Sequence, residues 1–365
     1  MEYRKLPHGN EQISVIGLGS SAIGNAEEHE IEETLTAAVD AGINYFDLAS
    51  ASARPFAPYG RVFKGCRNRV YLQVHFGANY ETGEYGWTTN LDTVKRSVEW
   101  QLQQLQTDYI DFGFIHCIDS VEDLEKYVSG GILDYLKHMK ATGVVRHIGL
   151  SSHTPSVTNR ILDMGLVDML MFSINPGYDY SQGEFAFGSA AERMALYRRC
   201  EADRVGISVM KPFSAGQLLD AKVSPFKQAL TRYQCLQYAL DKPGVLTTLP
   251  GVRGIDDLND ILGFCNASAQ ERDYSVIGTF SPREVEGVCV YCNHCQPCPM
   301  HLDVGLINKY YDLARVGDAL AADHYAKLAV KASCCIACGH CNRRCPFHVD
   351  QVTRMAEIAN FFDKK

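Results

Sequence analysis

The chain has no apolar run near the roughly 18 to 20 residues that a bilayer crossing requires. Its net charge of −8 and pI near 5.8 leave no basic face for nucleic-acid phosphates. A membrane-spanning chain and a nucleic-acid binder are therefore set aside. Tryptophan is scarce at 2 residues, but 16 Phe and 19 Tyr supply ample aromatic mass. The charged fraction of 21% is ordinary, which excludes a disordered chain. The first ten residues, MEYRKLPHGN, hold no apolar segment that could serve as a signal peptide, so a cytoplasmic location is expected. No Gly-x-Gly-x-x-Gly follows the first apolar run, because Gly17-Leu-Gly19-Ser-Ser-Ala-Ile-Gly24 has a different spacing.

What is present is 365 residues, 46% of them apolar, enough for one barrel-sized domain and a smaller one. Eight short apolar runs read as strands: Val15–Gly19, Tyr45–Ala49, Val70–Gly77, Tyr109–His116, His147–Ser152, Met169–Asn175, Gly206–Pro212 and Val245–Gly251. Helical periods lie between them. Leu91, Val94, Val98, Leu102 and Leu105 make one helix face, and Ile31, Leu35 and Val39 make another that stops at Gly42. Turn-bounded runs separated by helices call for parallel strands with crossover helices, and eight units match a (β/α)₈ TIM barrel over residues 1–265. A doubly wound open sheet is the alternative. Residues before Val15 suit a small hairpin on the barrel floor. Residues 266–288 are polar and read as a linker, and residues 289–365 read as a small α-helical domain.

Fourteen cysteines are unusual for a cytosolic chain, and nine fall in the last 77 residues. The other five (Cys66, Cys117, Cys200, Cys235, Cys265) are scattered and suit small buried hydrophobes. The first cluster runs Cys289-Val-Tyr-Cys292-Asn-His-Cys295-Gln-Pro-Cys298-Pro299, and the second runs Cys335-Ile-Ala-Cys338-Gly-His-Cys341-Asn-Arg-Arg-Cys345-Pro346. Three thiolates two residues apart on one loop, with a fourth from the other run, are the ligand pattern of two-cluster ferredoxins. The spacing predicts two [4Fe–4S] clusters. Cys289, Cys292, Cys295 and Cys345 would hold one, and Cys335, Cys338, Cys341 and Cys298 the other, with Cys334 a bystander. Zinc, which takes two ligand pairs, is the competing reading.

Several strings resemble the aldo-keto reductases, here with a C-terminal ferredoxin module: Gly42-Ile-Asn-Tyr-Phe-Asp47, Tyr59-Gly60, Tyr109-Ile-Asp-Phe-Gly-Phe-Ile-His116, Gly143-Val-Val-Arg-His-Ile-Gly149-Leu-Ser151, Met210-Lys-Pro-Phe-Ser-Ala-Gly216 and Leu249-Pro-Gly251. The resemblance implies a barrel that moves hydride between NAD(P)H and a carbonyl, using an Asp, Tyr, Lys, His tetrad at strand ends. Asp47 and His116 match that tetrad. His75 stands where the lysine is expected. Tyr59 lies twelve residues after Asp47, and the family's spacing falls on Ser52 instead. For the cofactor the resemblance implies Ser151 at the carboxamide, Lys211 and Gly216 in the loop after the seventh strand, and Gly251 and Arg253 at a phosphate. Apolar Ile261 stands where the family grips adenine with an amide. Two loops rich in Tyr, Phe and Gly, residues 78–90 and 177–190, would line a pocket for a small organic substrate.

Three functions follow. The first is an oxidoreductase of an anaerobic source, in which the clusters, fed by a ferredoxin or another electron carrier, pass single electrons to a substrate or a flavin in the barrel. There His75 and His116 would supply protons and Asp47 would orient one of them. The second is an NAD(P)H-dependent carbonyl reductase whose clusters are structural or regulatory. The third is a non-catalytic electron-transfer or sensing protein. The complete cysteine runs and the altered tetrad favour the first.

Overall fold

The computed structural model describes residues 1–180, 186–279, 287, 289, 291, 293, 295–315, 321–345 and 347–363. Contacts divide the chain into two compact units. One comprises Met1–Ile174, Val205–Ala215 and Leu246–Ala267, and the other comprises Asn175–Arg204, Gly216–Val245 and Ser268–Lys365. Among the described residues no helix is long and apolar enough to cross a membrane.

The first unit opens with an antiparallel hairpin, β1 (Tyr3–Lys5) and β2 (Gln12–Ser14), as expected before Val15. Leu6 and Ile13 from the hairpin are fully buried against Tyr45, Phe112, Phe114, Met169 and Leu246, so it closes the floor of the sheet behind it. That sheet holds eight parallel strands: β3 (Leu18–Gly19), β4 (Tyr45–Asp47), β5 (Tyr71–Phe76), β8 (Ile110–Ile115), β9 (Val145–Ser151), β10 (Met169–Ser173), β11 (Gly206–Met210) and β12 (Val245–Leu249). A short ribbon, β6 (Ala78–Asn79) with β7 (Gly86–Trp87), leaves the end of β5. The sheet curls until its edges meet. Ile16 bridges Thr248, Gly17 N–H donates to the Thr248 carbonyl at 2.9 Å, and Thr248 N–H donates to Val15 at 3.0 Å. A barrel-like closed sheet is therefore present, and the open-sheet alternative fails.

Two-residue periodicity decides what each strand shows to the interior. On β4, Tyr45 and Asp47 share one face and Phe46 takes the other. On β5, Gln73 and His75 lie on the Asp47 side, and Phe112, Phe114 and then His116 continue the pattern along β8. Gly149 on β9 makes room for this layer, since a Cβ there would stand 2.2 Å from the Phe114 ring. The helix expected from Leu91 onward spans Leu91–Gln104. Asn90 caps it by accepting from Thr93 N–H at 3.0 Å, and Val94 and Val98 are fully buried. Ile31, Leu35 and Val39 are likewise the buried face of Glu28–Asp40, and the chain turns at Gly42 with φ of +92°.

The C-terminal region departs from expectation. Residues Val304–Arg315, Ala321–Ala326, His340–Arg344 and Gln351–Phe362 are helices around a core of Leu302, Ile307, Tyr311, Met355 and Ile358. They are not a separate ferredoxin domain, because the region belongs to one compact unit with residues 175–204 and 216–245. Buried polar contacts join these parts. Arg198 reaches Asp312 at 2.9 Å and the Tyr291 hydroxyl at 2.7 Å, Tyr291 donates to Asp312 at 2.8 Å, and Arg354 binds the other Asp312 oxygen. Lys309 pairs with Glu201 at 3.5 Å.

The cluster ligands are corrected as well. Among the described residues, the donor atoms of one set of three or more His, Cys, Asp or Glu converge within 4.8 Å of one another, and that set is Cys117, Asp119 and His153 in the first unit. Cys298, Cys335, Cys338 and Cys341 line one small apolar cavity with Leu302, Val304 and Met355, yet no three of these sulfurs converge in that way. Local groups occupy several thiols: Gln351 Nε2 lies 3.7 Å from Cys289 Sγ, Ala337 N–H donates to Cys335 Sγ at 3.4 Å, and Cys341 Sγ donates to Asn342 Oδ1 at 3.7 Å. Cys295 is buried and Cys345 half-buried, while Cys292 lies outside the described residues. The expectation of two [4Fe–4S] clusters is overturned on this finding. The electron relay through them, its flavin, the ferredoxin partner and the anaerobic source lose their basis with it.

Two stability outcomes are expected. Gly149→Ala forces the Phe114 ring from its place and should cost about 1–3 kcal/mol by urea unfolding. Arg198→Ala should cost about 2–3 kcal/mol in the same measurement, because Asp312 and Tyr291 lose a shared charged donor while remaining buried.

Candidate functional site

The C-terminal ends of the barrel strands gather a chain of polar side chains. Asp47 is the last residue of β4. Its Oδ1 accepts from Gln73 Nε2 at 2.8 Å and meets His75 Nε2 at 2.7 Å. Gln73 is oriented in turn by Tyr45, whose hydroxyl donates to Oε1 at 2.5 Å. His75 Nδ1 faces His116 Nδ1 at 2.8 Å, and His116 Nε2 faces the Tyr85 hydroxyl at 2.9 Å. Asp47, Gln73, His75 and His116 are buried, whereas Tyr85 is 41% exposed. Three of the four expected catalytic residues, Asp47, His75 and His116, are thus brought into direct contact.

Tyr59 is placed differently. It sits in the helix Phe56–Phe63 and packs edge-on against Phe46 and Phe63, with ring centroids 6.3 and 5.5 Å away. Phe46 and Asp47 point to opposite faces of β4, so Tyr59 packs on the outer layer. Its hydroxyl is fully buried with no hydrogen-bond partner. Burial, then the Asp47 charge, pushes its pKa well above the usual tyrosine value.

The β6–β7 ribbon delivers Tyr85 to the mouth. Gly77 makes the turn possible, with φ of +130° and a Cβ position only 3.2 Å from His116 Cβ. Trp87 Nε1 donates to the His116 carbonyl at 3.2 Å, and Thr88 N–H donates to Gly77 O at 2.9 Å. The segment inserted after Asp47 supports the ribbon from the other side: Tyr85 N–H donates to Ala51 O at 2.9 Å and Ala53 N–H to Gly83 O at 2.8 Å. Burial, then Cys117, holds the Tyr85 hydroxyl up at about 12, so it keeps its proton. Burial, then His75, lowers the His116 pKa well below the ordinary imidazole value.

A second network adjoins the first. Asp119 accepts from His153 Nδ1 at 2.9 Å, from Ser152 Oγ at 3.0 Å and from the His153 backbone N–H at 2.5 Å, and Cys117 Sγ donates to it at 3.7 Å. Lys211 Nζ meets His153 Nε2 at 3.0 Å. Burial would raise Asp119, but the His153 contacts bring it down to about 2. Burial and Asp119 push the Cys117 thiol up to about 11. The hydrogen bonds that Cys117, Ser152 and His153 make to Asp119 tie these segments into an anchor beside the first network.

The expected cofactor residues fall at two places in the first unit and one in the second. Ser151 ends β9 and is buried, with Lys211 just past β11 at φ of +54°. Gly251 and Arg253 follow β12, where the guanidinium is tied to Asp257 at 2.7 and 3.1 Å. Gly216 belongs to the second unit, at φ of +89° before a turn at Gln217–Leu219. Sequence reasoning missed Gln73, Asp119 and His153. It reached Tyr85 and Trp87 only as members of a loop rich in aromatics. Gln73 was detectable, because it shares the inward parity of His75.

The aldo/keto reductase family profile matches residues 15–234. A curated relative, the uncharacterized oxidoreductase YqkF of Bacillus subtilis, is 24% identical over 290 residues, covering 73% of this chain and 92% of that one. Among solved structures, the holo form of aldo-keto reductase AKR11C1 from Bacillus halodurans aligns with a TM-score of 0.62 at 21% identity, over 77% of this chain and 97% of that one. PA4992, a putative aldo-keto reductase from Pseudomonas aeruginosa, aligns at 0.57 with 23% identity, over 72% and 93%. Those structures share the fold, and the profile spans more than half of the sequence. The chain belongs to the aldo/keto reductase family.

Proposed function

We propose that this protein is an oxidoreductase that interconverts a small organic carbonyl and its alcohol at the barrel mouth, within residues 1–265, with a nicotinamide dinucleotide as hydride carrier. The observation that carries this reading is the unbroken contact Asp47–His75–His116, ending on a half-exposed hydroxyl where barrel enzymes place their chemistry. The nicotinamide, when bound, supplies or accepts the hydride.

The residues present suit such a group. The Ser20 hydroxyl, just past β3, is buried without a partner. Gly254 has open space where a Cβ would stand, and Gly251 has only Ala22 Cβ near, at 3.5 Å. Ser151 and Lys211 would hold the pyridine end, and Gly251 with Arg253 the phosphate end. The wall beside Arg253 is acidic. A cleft of about 440 Å³ is lined by Glu30, Glu33, Asp256 and Asp257, with Arg253 as its sole cation. A 2′-phosphate entering it would meet four carboxylates and a guanidinium already paired with one of them. The site therefore favours NADH over NADPH. Tyr85 and Trp87, both half-exposed, offer aromatic faces to a flat substrate.

Calorimetry with each dinucleotide tests the reading. NADH is expected to bind more tightly than NADPH, and Asp257→Asn, which frees Arg253, should narrow the gap. Absence of heat with both would overturn the proposal. Aldehyde reduction followed by NADH absorbance should fall about 10²-fold or more in kcat for Asp47→Asn, because His75 Nε2 loses the carboxylate that accepts its hydrogen.

A further inference from the structure

We propose that Tyr85 passes the proton between the protein and the substrate oxygen, and that Asp47, His75 and His116 form the wire behind it. This rests on the carbonyl-reductase reading above. The first support is geometric. Both ring nitrogens of His75 are engaged, by Asp47 and by His116, and both of His116 are engaged, by His75 and by Tyr85. Of the four members of this chain Tyr85 reaches solvent most, at 41% exposure against 6% or less for Asp47, His75 and His116. Tyr59, the tyrosine expected to be catalytic, is packed between Phe46 and Phe63, and its buried hydroxyl has no hydrogen-bond partner. The inserted segment that carries Tyr59 away from the mouth also holds Tyr85 in it, through the Ala51 and Ala53 backbone.

The hydrogens on the wire are determined by its fixed end. Gln73 Oε1 takes the Tyr45 proton, so Gln73 Nε2 faces Asp47 and the carboxylate must accept. His75 therefore carries hydrogen on Nε2 and, when neutral, leaves Nδ1 bare. His116 then donates from Nδ1, and its bare Nε2 accepts from Tyr85. In this state every hydrogen points toward Asp47, and the Tyr85 oxygen is ready to take a proton from an alcohol.

One further proton reverses the wire. It is held on His75 beside the Asp47 charge, and His116 now carries its hydrogen on Nε2, which donates to the Tyr85 oxygen. The Tyr85 hydrogen is free to point outward. As the carbonyl carbon accepts hydride, the carbonyl oxygen takes the Tyr85 proton. Tyr85 is refilled from His116 Nε2, and His116 Nδ1 from His75 Nδ1. The C=O π bond, the Tyr85 O–H bond and one C–H bond of the hydride-donating dinucleotide break, a C–H and an O–H bond form in the alcohol, the donor is oxidised by two electrons, and the wire ends one proton poorer in its resting state. Reduction consumes a proton and alcohol oxidation releases one, so rising pH between about 5 and 9 should favour oxidation by mass action. The other groups facing His116 are Tyr85, Cys117, Asp119 and His153, and those facing Asp47 include the Tyr45, Tyr59 and Tyr80 hydroxyls. Tyr85 at about 12, Cys117 at about 11 and Asp119 at about 2 titrate outside this range. Tyr45, Tyr59 and Tyr80 are raised above the usual tyrosine value by burial.

The test combines two measurements on the full chain. In cofactor-free protein labelled with ¹⁵N-histidine and titrated from about pH 5 to 9, His75 should carry hydrogen on Nε2 and His116 should accept there. In Tyr85→Phe the His116 Nε2 signal should move and that of His153 should not. In steady state, Tyr85→Phe should lower kcat for aldehyde reduction about 10²-fold or more, with NADH affinity unchanged and KM little altered. A thermal melt matching the parent confirms that the variant folds. The proposal is overturned if His116 Nε2 is indifferent to Tyr85→Phe. It is equally overturned if the variant reduces aldehyde at the parent rate and pH profile while Tyr59→Phe does not. Lack of nicotinamide heat in calorimetry would remove the carbonyl-reductase reading, and the histidine spectra would still decide the wire.

Discussion

One buried anion orders the interior of this barrel. The Asp47 carboxylate lies at the end of β4, 3% exposed, and an unpaired charge there would cost several kcal/mol. Two donors, Gln73 Nε2 and His75 Nε2, aim at the same oxygen. Each is pinned from behind, Gln73 by Tyr45 and His75 by His116. Because a carboxylate can only accept, it places a hydrogen on His75 Nε2, the start of the chain of contacts that runs out to Tyr85. Elsewhere in the barrel, size sets the layers, as where Gly149 leaves space for Phe114. Here charge sets the tautomers.

Much of the barrel was legible because its determinants are local. Short apolar runs, bounded by turns and alternating with amphipathic helices, leave few ways to bury both faces of a parallel sheet. Asp47 and His116 were legible through the resemblance of the strings around them to the aldo-keto reductases. Tyr59 was harder. Counting from Asp47 places it twelve residues along, but count alone does not say which side of β4 the insertion returns on. The parity of Phe46 does, and the helix Phe56–Phe63 packs on that outward residue. Tyr85 could not be singled out among the tyrosines of its loop, because its position depends on backbone hydrogen bonds from Ala51 and Ala53, far away in sequence.

The cysteine runs show the opposite failure. Spacing is a strong cue to ligation only if the chain then turns each sulfur toward a common point. In the described residues the C-terminal helices are organised instead by the Asp312, Arg198, Arg354 and Tyr291 network and by the apolar core of Ile307, Met355 and Ile358. Arg198 lies in the helix Ala190–Ala202, so the partner of this region comes from the middle of the chain. The composition break near residue 266 coincides with the change of unit at Ala267 and Ser268, but the second unit also takes in residues 175–204 and 216–245, which no such break marks.

The two polar networks at the mouth meet at one peptide. His116 turns inward to the wire. Cys117, the next residue, adopts φ of +51°, a conformation costly for a side chain other than glycine, and faces Asp119 instead. That reversal separates the contacts through His75 and Tyr85 from the anchored loop of Ser152 and His153, on which Lys211 closes from past β11. Lys211 has the same left-handed backbone, at φ of +54°, and closes the anchor on His153. Strain at two strand ends is repaid by the hydrogen bonds each makes possible. The consequence is mechanical: His116 and Cys117 are neighbours in sequence, yet they are braced by different partners, His75 and Tyr85 for the one and Asp119 for the other, so either network can be altered with the other left in place.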